Sequence, residues 1–97
     1  MKLRHLKHPG FMGLDTVELV MTVEEEFQIE ISDTAAAKMR TPGDIQDYVV
    51  RTLSEQGKTV DVDLTWLRIQ KIIVDQLGVK PERVTKPTLI IEELGAD

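Results

Sequence analysis

Cysteine is absent from this 97-residue chain, which excludes a disulfide framework, a thiol nucleophile and a thiolate metal site. Aromatic residues make up only 4% of the sequence, so the core has to consist of aliphatic side chains. No apolar run approaches the roughly 20 residues that span a bilayer. The positive start at residues 1–10 is not followed by the apolar segment of a signal peptide. We therefore expect a cytoplasmic protein without membrane insertion.

The sequence also lacks the short motifs that carry common enzyme chemistry. There is no phosphate-binding GxxxxGK[ST], no GxGxxG, no HExxH and no GxSxG. His5 and His8 have the spacing of a helical metal pair, but their segment ends in a Pro-Gly pair and offers no acidic third ligand. The three glutamates at 24–26 are consecutive, so they point in different directions around a helix and form no positioned acid–base pair. We therefore expect neither an enzyme nor a metal site.

Charge is distributed unevenly along the chain. Twelve basic and seventeen acidic residues give a net charge of −5, which disfavours nucleic acid and favours a basic protein partner. Residues 1–10 carry three bases and no acid, whereas residues 11–34 carry seven acids and no base. Two interpretations remain open for this first third of the chain: a solvated helix face beside a basic arm, or an electrostatic docking face for a partner.

The length and the mix of 41% apolar and 30% charged residues predict one globular domain. Apolar spacing predicts an all-α bundle of three longer helices plus one short helix. The predicted helices cover 14–27, a brief segment through 39, 42–56 and about 63–77, with a linker at 58–62. We expect the core to contain Val20, Phe27, Val49, Leu53, Ile69, Ile73 and Leu77.

The connections and helix starts also carry signals. Residues 28–33 are predicted to form a loop that turns two isoleucines inward, residues 81–84 a single turn, and residues 88–94 a last half-turn or loop. Polar residues are expected to cap the first three helices: Asp15 or Thr16, Asp33 or Thr34, and Thr41 followed by Pro42 and Asp44.

The first predicted helix has two apolar stripes. The core stripe contains Leu19, Val20, Val23 and Phe27. A second stripe lies about 100° away and alternates apolar with acidic residues: Leu14, Val17, Met21, Glu18, Glu24 and Glu25. Such a stripe can contact a second protein or be buried on another side of a small bundle, and periodicity leaves both readings open.

Two long stretches resemble the bacterial acyl carrier protein family. Residues 13–49, GLDTVELVMTVEEEFQIEISDTAAAKMRTPGDIQDYV, resemble its second half, and residues 66–97, WLRIQKIIVDQLGVKPERVTKPTLIIEELGAD, resemble its first half. Because the order is reversed, the chain resembles a circularly permuted member in which residues 58–62 join the family's last and first helices. Compact domains tolerate such rejoining when their ends lie close together. The resemblance implies one domain over 11–97 behind a basic arm over 1–10.

The resemblance also implies that the serine to which the family attaches its cofactor is missing. In the family, the serine of an Asp-Ser-Leu motif at the start of the second helix receives a 4′-phosphopantetheine arm. The matching position is Gly13 next to Asp97, and glycine has no hydroxyl. We therefore expect no attached phosphopantetheine and a negative Asp97 close to the helix start. The alternative is a working carrier in fatty-acid, lipid or polyketide synthesis that is modified at a non-standard hydroxyl, Thr16.

The family's second helix presents acids to basic surfaces of carrier-dependent synthases or transferases. The matching positions are Leu14, Val17, Glu18, Met21, Glu24 and Glu25. These residues form the second stripe of the first helix, so the resemblance favours the docking interpretation. We expect binding to be weak and salt-sensitive. We expect Glu24→Ala to have almost no effect on stability. We expect a monomer, and the alternative is a dimer that exchanges helices if the linker opens.

We expect residues 1–9 to be mobile, close to the acidic helix. Their removal should change the free energy of unfolding by less than about 1 kcal/mol.

Overall fold

The computed structural model describes residues 14–96, apart from the side chain of Leu14, and within them it contains α-helices, one 3-10 turn and no strand. The elements in chain order are α1 (Leu14–Phe27), α2 (Asp33–Ala37), α3 (Pro42–Glu55), α4 (Val62–Leu77), the 3-10 turn Pro81–Arg83 and α5 (Ile90–Leu94). The predicted all-α fold of three longer helices is confirmed. The segment over 88–94 differs from the expectation in part, because it forms a second short helix.

Helix α4 is the centre of the bundle and packs against both α1 and α3. Ile69 and Ile73 of α4 are completely buried, as is Val49 of α3. Four of the seven expected core residues are buried, and the other three pack partly exposed against the same cluster: Val20, Leu53 and Leu77. The apolar period of the long helices therefore predicts their inward faces.

A large part of the core comes from outside the long helices. The loop after α1 turns Ile29 and Ile31 inward, as predicted from its alternating pattern. The last segment of the chain adds a further group of buried residues: Val84, Ile90, Leu94 and Ala96. These side chains close the side of the bundle that the three long helices leave open.

The start of α3 has the capping box that its sequence predicts. The Asp44 amide donates to the Thr41 hydroxyl at 3.0 Å, and the Thr41 amide donates to the Asp44 carboxylate at 3.2 Å. Pro42 occupies the first helical turn, where its missing N–H leaves no donor unpaired. The start of this helix is therefore fixed by contacts within four consecutive residues.

Three other helix starts differ from the expectation by one or two residues. Helix α1 begins at Leu14, so Asp15 lies in its first turn rather than at the cap. Helix α2 is capped by Ser32, whose hydroxyl accepts from the Ala35 amide at 3.1 Å. Helix α4 begins at Val62 behind Asp61, whose carboxylate accepts from the Leu64 amide at 3.0 Å.

The physical reason is the same at α2 and α4. Each helix start offers more than one residue with a cap-forming side chain. The residue that becomes the cap has an extended backbone and lies three residues before the amide from which its side chain accepts. The connection between α3 and α4 covers residues 56–61, whereas the sequence placed the linker at 58–62.

Two backbone hydrogen bonds hold the last segment of the chain against the first turn of α3 and the connection that precedes it. The Gly43 amide donates to the Lys86 carbonyl at 3.0 Å, and the Ile90 amide donates to the Arg40 carbonyl at 3.0 Å. These bonds place α5 beside the start of α3 and thereby complete one wall of a cleft.

Candidate functional site

The exposed side of α1 contains the residues that the sequence singled out for partner binding. Glu18 and Glu25 are exposed, and Val17 and Met21 lie between them half-buried. At about 100° per residue these four positions lie on one side of the helix, opposite the buried Val23. We name Val17, Glu18, Met21 and Glu25 the docking face. The side chain of Leu14, which the sequence also placed on this stripe, lies outside the described residues.

Glu24 does not belong to this face, which corrects the expectation from the sequence. Its side chain is 8% exposed, and one carboxylate oxygen accepts the Ile31 amide at 2.7 Å. Its backbone carbonyl accepts the Ile29 amide at 3.1 Å. Gln28 explains the arrangement, because its φ of 57° ends α1 and turns the following loop back over the last turn of the helix. Glu24 therefore fixes a loop, and the expectation that Glu24→Ala costs almost nothing no longer holds.

Glu26 is also committed to a contact within the domain. The guanidinium of Arg68 in α4 donates to its carboxylate at 2.8 Å and 3.0 Å. The same guanidinium lies over the Phe27 ring, 4.4 Å from the ring centre. The negative charge of Glu26 is therefore neutralised by α4 and faces away from the docking face.

Glu18 and Glu25 differ from Glu24 and Glu26 in that their exposed carboxylates are not held by another part of the domain. Within residues 14–96, neither carboxylate forms an ion pair. Seven residues separate them, so their Cα atoms stand about 10 Å apart along the helix axis. Two unneutralised carboxylates at this spacing, with apolar side chains between them, can receive two cations of a partner while the apolar groups make contact.

An apolar cleft of about 100 Å³ lies next to the docking face. Its walls come from the first two turns of α1, from α2 and the connection to α3, and from α5. Thr16 and Val20 line one side, and Ile91 and Glu92 the other. Ile91 is 48% exposed, so the cleft has an apolar rim.

The sequence predicted the apolar stripe of α1 that supplies Leu19 and Val20 to this cleft, but it predicted neither the cleft nor its α5 side. Residues 88–94 were expected to form a half-turn or loop, because a helix of five residues is too short for its period to be recognised. The doublet of isoleucines at 90–91 was the available signal, since one of the two has to be exposed when the other is buried.

The hydroxyl groups of Thr16, Ser32 and Ser54 have different surroundings. Thr16 lies half-buried in the first turn of α1 and lines the cleft. Ser32 caps α2, and Ser54 is exposed near the end of α3. Gly13, Asp97 and the arm over 1–10 lie outside the described residues, and so do the expectations made for them.

Residues 14–96 contain no cluster of three histidine or acidic side chains that could hold a metal ion. None of the helices in the same range has the length and apolar character needed to cross a membrane.

No protein-family model matches this sequence, and no solved structure matches the fold.

Proposed function

We propose that this chain is an acyl-carrier-protein-like interaction domain that presents the docking face of α1 to a basic partner protein and carries no phosphopantetheine. The observation that carries the proposal is the pair Glu18 and Glu25, exposed and unneutralised on the side of α1 opposite the core. The resemblance adds the partner class, which is a carrier-dependent synthase or transferase of lipid or polyketide synthesis.

The composition of the face defines what such a partner must supply. Each exposed ion pair contributes about 0.2–1 kcal/mol, so two glutamates alone add no more than about 2 kcal/mol to binding. Contact with Val17 and Met21 has to provide much of the remainder, because both retain exposed apolar surface. The partner surface should therefore combine arginine or lysine with apolar side chains, and binding should be fast, weak and salt-sensitive.

The order of the helices supports the proposed relationship. A 14-residue helix, a 5-residue helix and a second 14-residue helix precede the 16-residue α4 and a long segment with short turns. This is the order expected for a permuted carrier protein, in which the family's first helix and long loop come last. The connection over residues 56–61 would then be the joint between the two halves.

The residue at the family's attachment position is the reason to propose a chain without 4′-phosphopantetheine. A phosphodiester to 4′-phosphopantetheine needs a hydroxyl oxygen, and Gly13 has none. Intact mass after co-expression with a phosphopantetheinyl transferase tests this directly. We expect the unmodified mass, and the added mass of one phosphopantetheine group would contradict this part of the proposal.

One observation favours a second candidate function, that of a carrier modified at Thr16. Thr16 lines the apolar cleft, so a group attached there would start beside a cavity for apolar cargo. The start of α1 would also favour a phosphate, because helix amides and the helix dipole point toward it. An added mass that disappears in Thr16→Val would establish this candidate in place of the first.

Binding to the docking face is tested by NMR with a purified phosphopantetheinyl transferase as the probe. We expect the amide signals of α1 to shift on titration, and we expect the shifts to weaken in the double variant Glu18→Gln, Glu25→Gln. The matched control is Glu55→Gln, Glu82→Gln, which removes the same charge from exposed positions on α3 and the 3-10 turn. Shifts centred on α4 instead of α1 would overturn the assignment of the face.

A further inference from the structure

The first half of α4 carries apolar side chains that face solvent. Four large apolar side chains of the described range 14–96 are about half exposed, and three of them lie within six residues of this helix: Val62, Leu64 and Leu67. The core uses other positions of α4, where Ile69 and Ile73 are completely buried. The domain itself therefore leaves the outer side of α4 uncovered.

Leu64, Leu67 and Lys71 lie on one face of α4, because they are three and four residues apart. We name these three residues the α4 stripe. The Lys71 ammonium contacts the carboxylate of Asp75 one turn further on, at 3.0 Å, and both side chains remain mostly exposed. An ion pair in this setting contributes little to stability. Lys71 is therefore available to a carboxylate of another molecule.

A carboxylate lies at the opposite end of the α4 stripe. Asp61 precedes the helix and is exposed, and one of its oxygens accepts the Leu64 amide at 3.0 Å. Within residues 14–96 it forms no ion pair. The surface therefore runs from a negative end across two leucines to a positive end. Such a surface is complementary to a second copy of itself that is turned end for end.

An antiparallel pairing of two copies matches the apolar and the charged groups together. When the two-fold axis crosses α4 midway between Leu64 and Leu67, each Leu64 lies beside the Leu67 of the second copy. At 1.5 Å per residue, Lys71 then lies about 8 Å beyond the axis and Asp61 about 7 Å before it. Each Lys71 therefore faces the Asp61 of the other copy, and the contact occurs twice.

Other pairings of the same two helices bring like charges together. In a parallel pairing about a two-fold axis, each Lys71 lies beside the Lys71 of the second copy. In an antiparallel pairing centred on Ile69, Asp63 lies opposite the Asp75 of the second copy, and Leu67 lies opposite a lysine. Like charges in contact disfavour an arrangement and fix the register. The charges of α4 therefore favour the pairing centred between the two leucines.

We propose that the α4 stripe is a homodimer interface in which two copies of this chain pair through antiparallel α4 helices. Each helix stays within its own copy, so this dimer differs from one that exchanges helices. The inference is independent of the proposed function, because it concerns α4 and not the docking face. A few side chains per copy are far fewer than the roughly 20–30 of a standard interface. We therefore expect a weak dimer, with a dissociation constant of roughly 0.1–1 mM.

Sedimentation equilibrium of the full chain measures the association, from about tenfold below to about twice the expected dissociation constant. We expect the average mass to rise from one chain toward two. Leu64→Gln, Leu67→Gln should weaken association about tenfold or more, because it removes the apolar contact. The control Ile91→Gln changes an equally exposed apolar residue on α5 and should associate like the parent. A constant mass of one chain, or unchanged association of the leucine variant, would overturn the inference.

A charge reversal tests the register, with circular dichroism as the check that each variant folds. Lys71→Glu faces Asp61 of the second copy with a like charge and should weaken association about tenfold. Lys38→Glu makes the same charge change at an exposed position next to α2 and should have little effect. Asp61→Ser keeps a capping side chain but removes the charge, so Lys71→Glu should weaken association much less in that background. Equal effects of Lys71→Glu and Lys38→Glu would contradict the proposed pairing.

Discussion

Glu24→Ala is the most informative single substitution, because sequence and structure lead to opposite expectations. The Ile31 amide, which belongs to a residue only 2% exposed, donates to the Glu24 carboxylate at 2.7 Å. Removal of the carboxylate leaves that amide without its charged acceptor in a buried position. A hydrogen bond to a charged group contributes about 1.5–3 kcal/mol, and a buried unpaired donor costs a similar amount. We expect Glu24→Ala to lower the free energy of unfolding by about 1.5–3 kcal/mol.

Urea denaturation followed by circular dichroism measures this loss, and two variants define it. Glu25→Ala removes the neighbouring but exposed carboxylate and should stay within about 0.5 kcal/mol of the parent. Glu24→Gln retains an acceptor oxygen and should fall between the two. In a domain of this size 1 kcal/mol moves Tm by roughly 4–8 °C, so the difference is easily resolved. Equal stability of Glu24→Ala and Glu25→Ala would refute the reasoning.

Three further substitutions test the packing and the turns. Ile73→Ala should lower the free energy of unfolding by about 2–5 kcal/mol, because the side chain is completely buried in α4. Leu67→Ala should lower it much less, because this position on the same helix is 57% exposed. Equal losses in the two variants would contradict the assigned faces of α4. Gly43→Ala should cost about 1–3 kcal/mol, since its Cβ would lie 3.0 Å from the Lys86 carbonyl oxygen; a neutral effect on the urea midpoint would show that the segment at Lys86 yields. Thr41→Ala should cost about 0.5–2 kcal/mol by loss of the cap on α3, and an unchanged Tm would count against the capping box.

The parts of the fold that sequence predicts are those fixed by near neighbours. The period of α4 places Ile69 and Ile73 inward because a helix repeats every 3.6 residues. The start of α3 is fixed by Thr41 and Asp44, which contact each other directly. Both features depend on residues within a few positions along the chain, so one sequence suffices to recognise them.

The parts of the fold that the sequence does not predict depend on contacts between residues far apart along the chain. Glu24 looks exposed on a helical wheel, and only the reversal at Gln28 brings the Ile31 amide to its carboxylate. The α5 wall of the cleft depends on the Ile90 amide meeting the Arg40 carbonyl, fifty residues away. Helical periodicity contains no information about either contact.

The docking face illustrates both what helical periodicity predicts and what it does not. Periodicity correctly separates Glu18 and Glu25 from the core, because both lie on the opposite side of α1. It cannot distinguish them from Glu24, whose carboxylate accepts the buried Ile31 amide. The structure therefore reduces the acidic part of the site to two carboxylates.

The most direct test of the central claim is the affinity of the transferase for three forms of the chain at low and high salt. The account predicts that Glu18→Gln, Glu25→Gln weakens binding about twofold to thirtyfold, from two ion pairs of about 0.2–1 kcal/mol each. The control Glu55→Gln, Glu82→Gln should bind like the parent, and the difference should shrink as salt rises. Equal weakening in both double variants, or none in either, would contradict the assignment of partner binding to the α1 face.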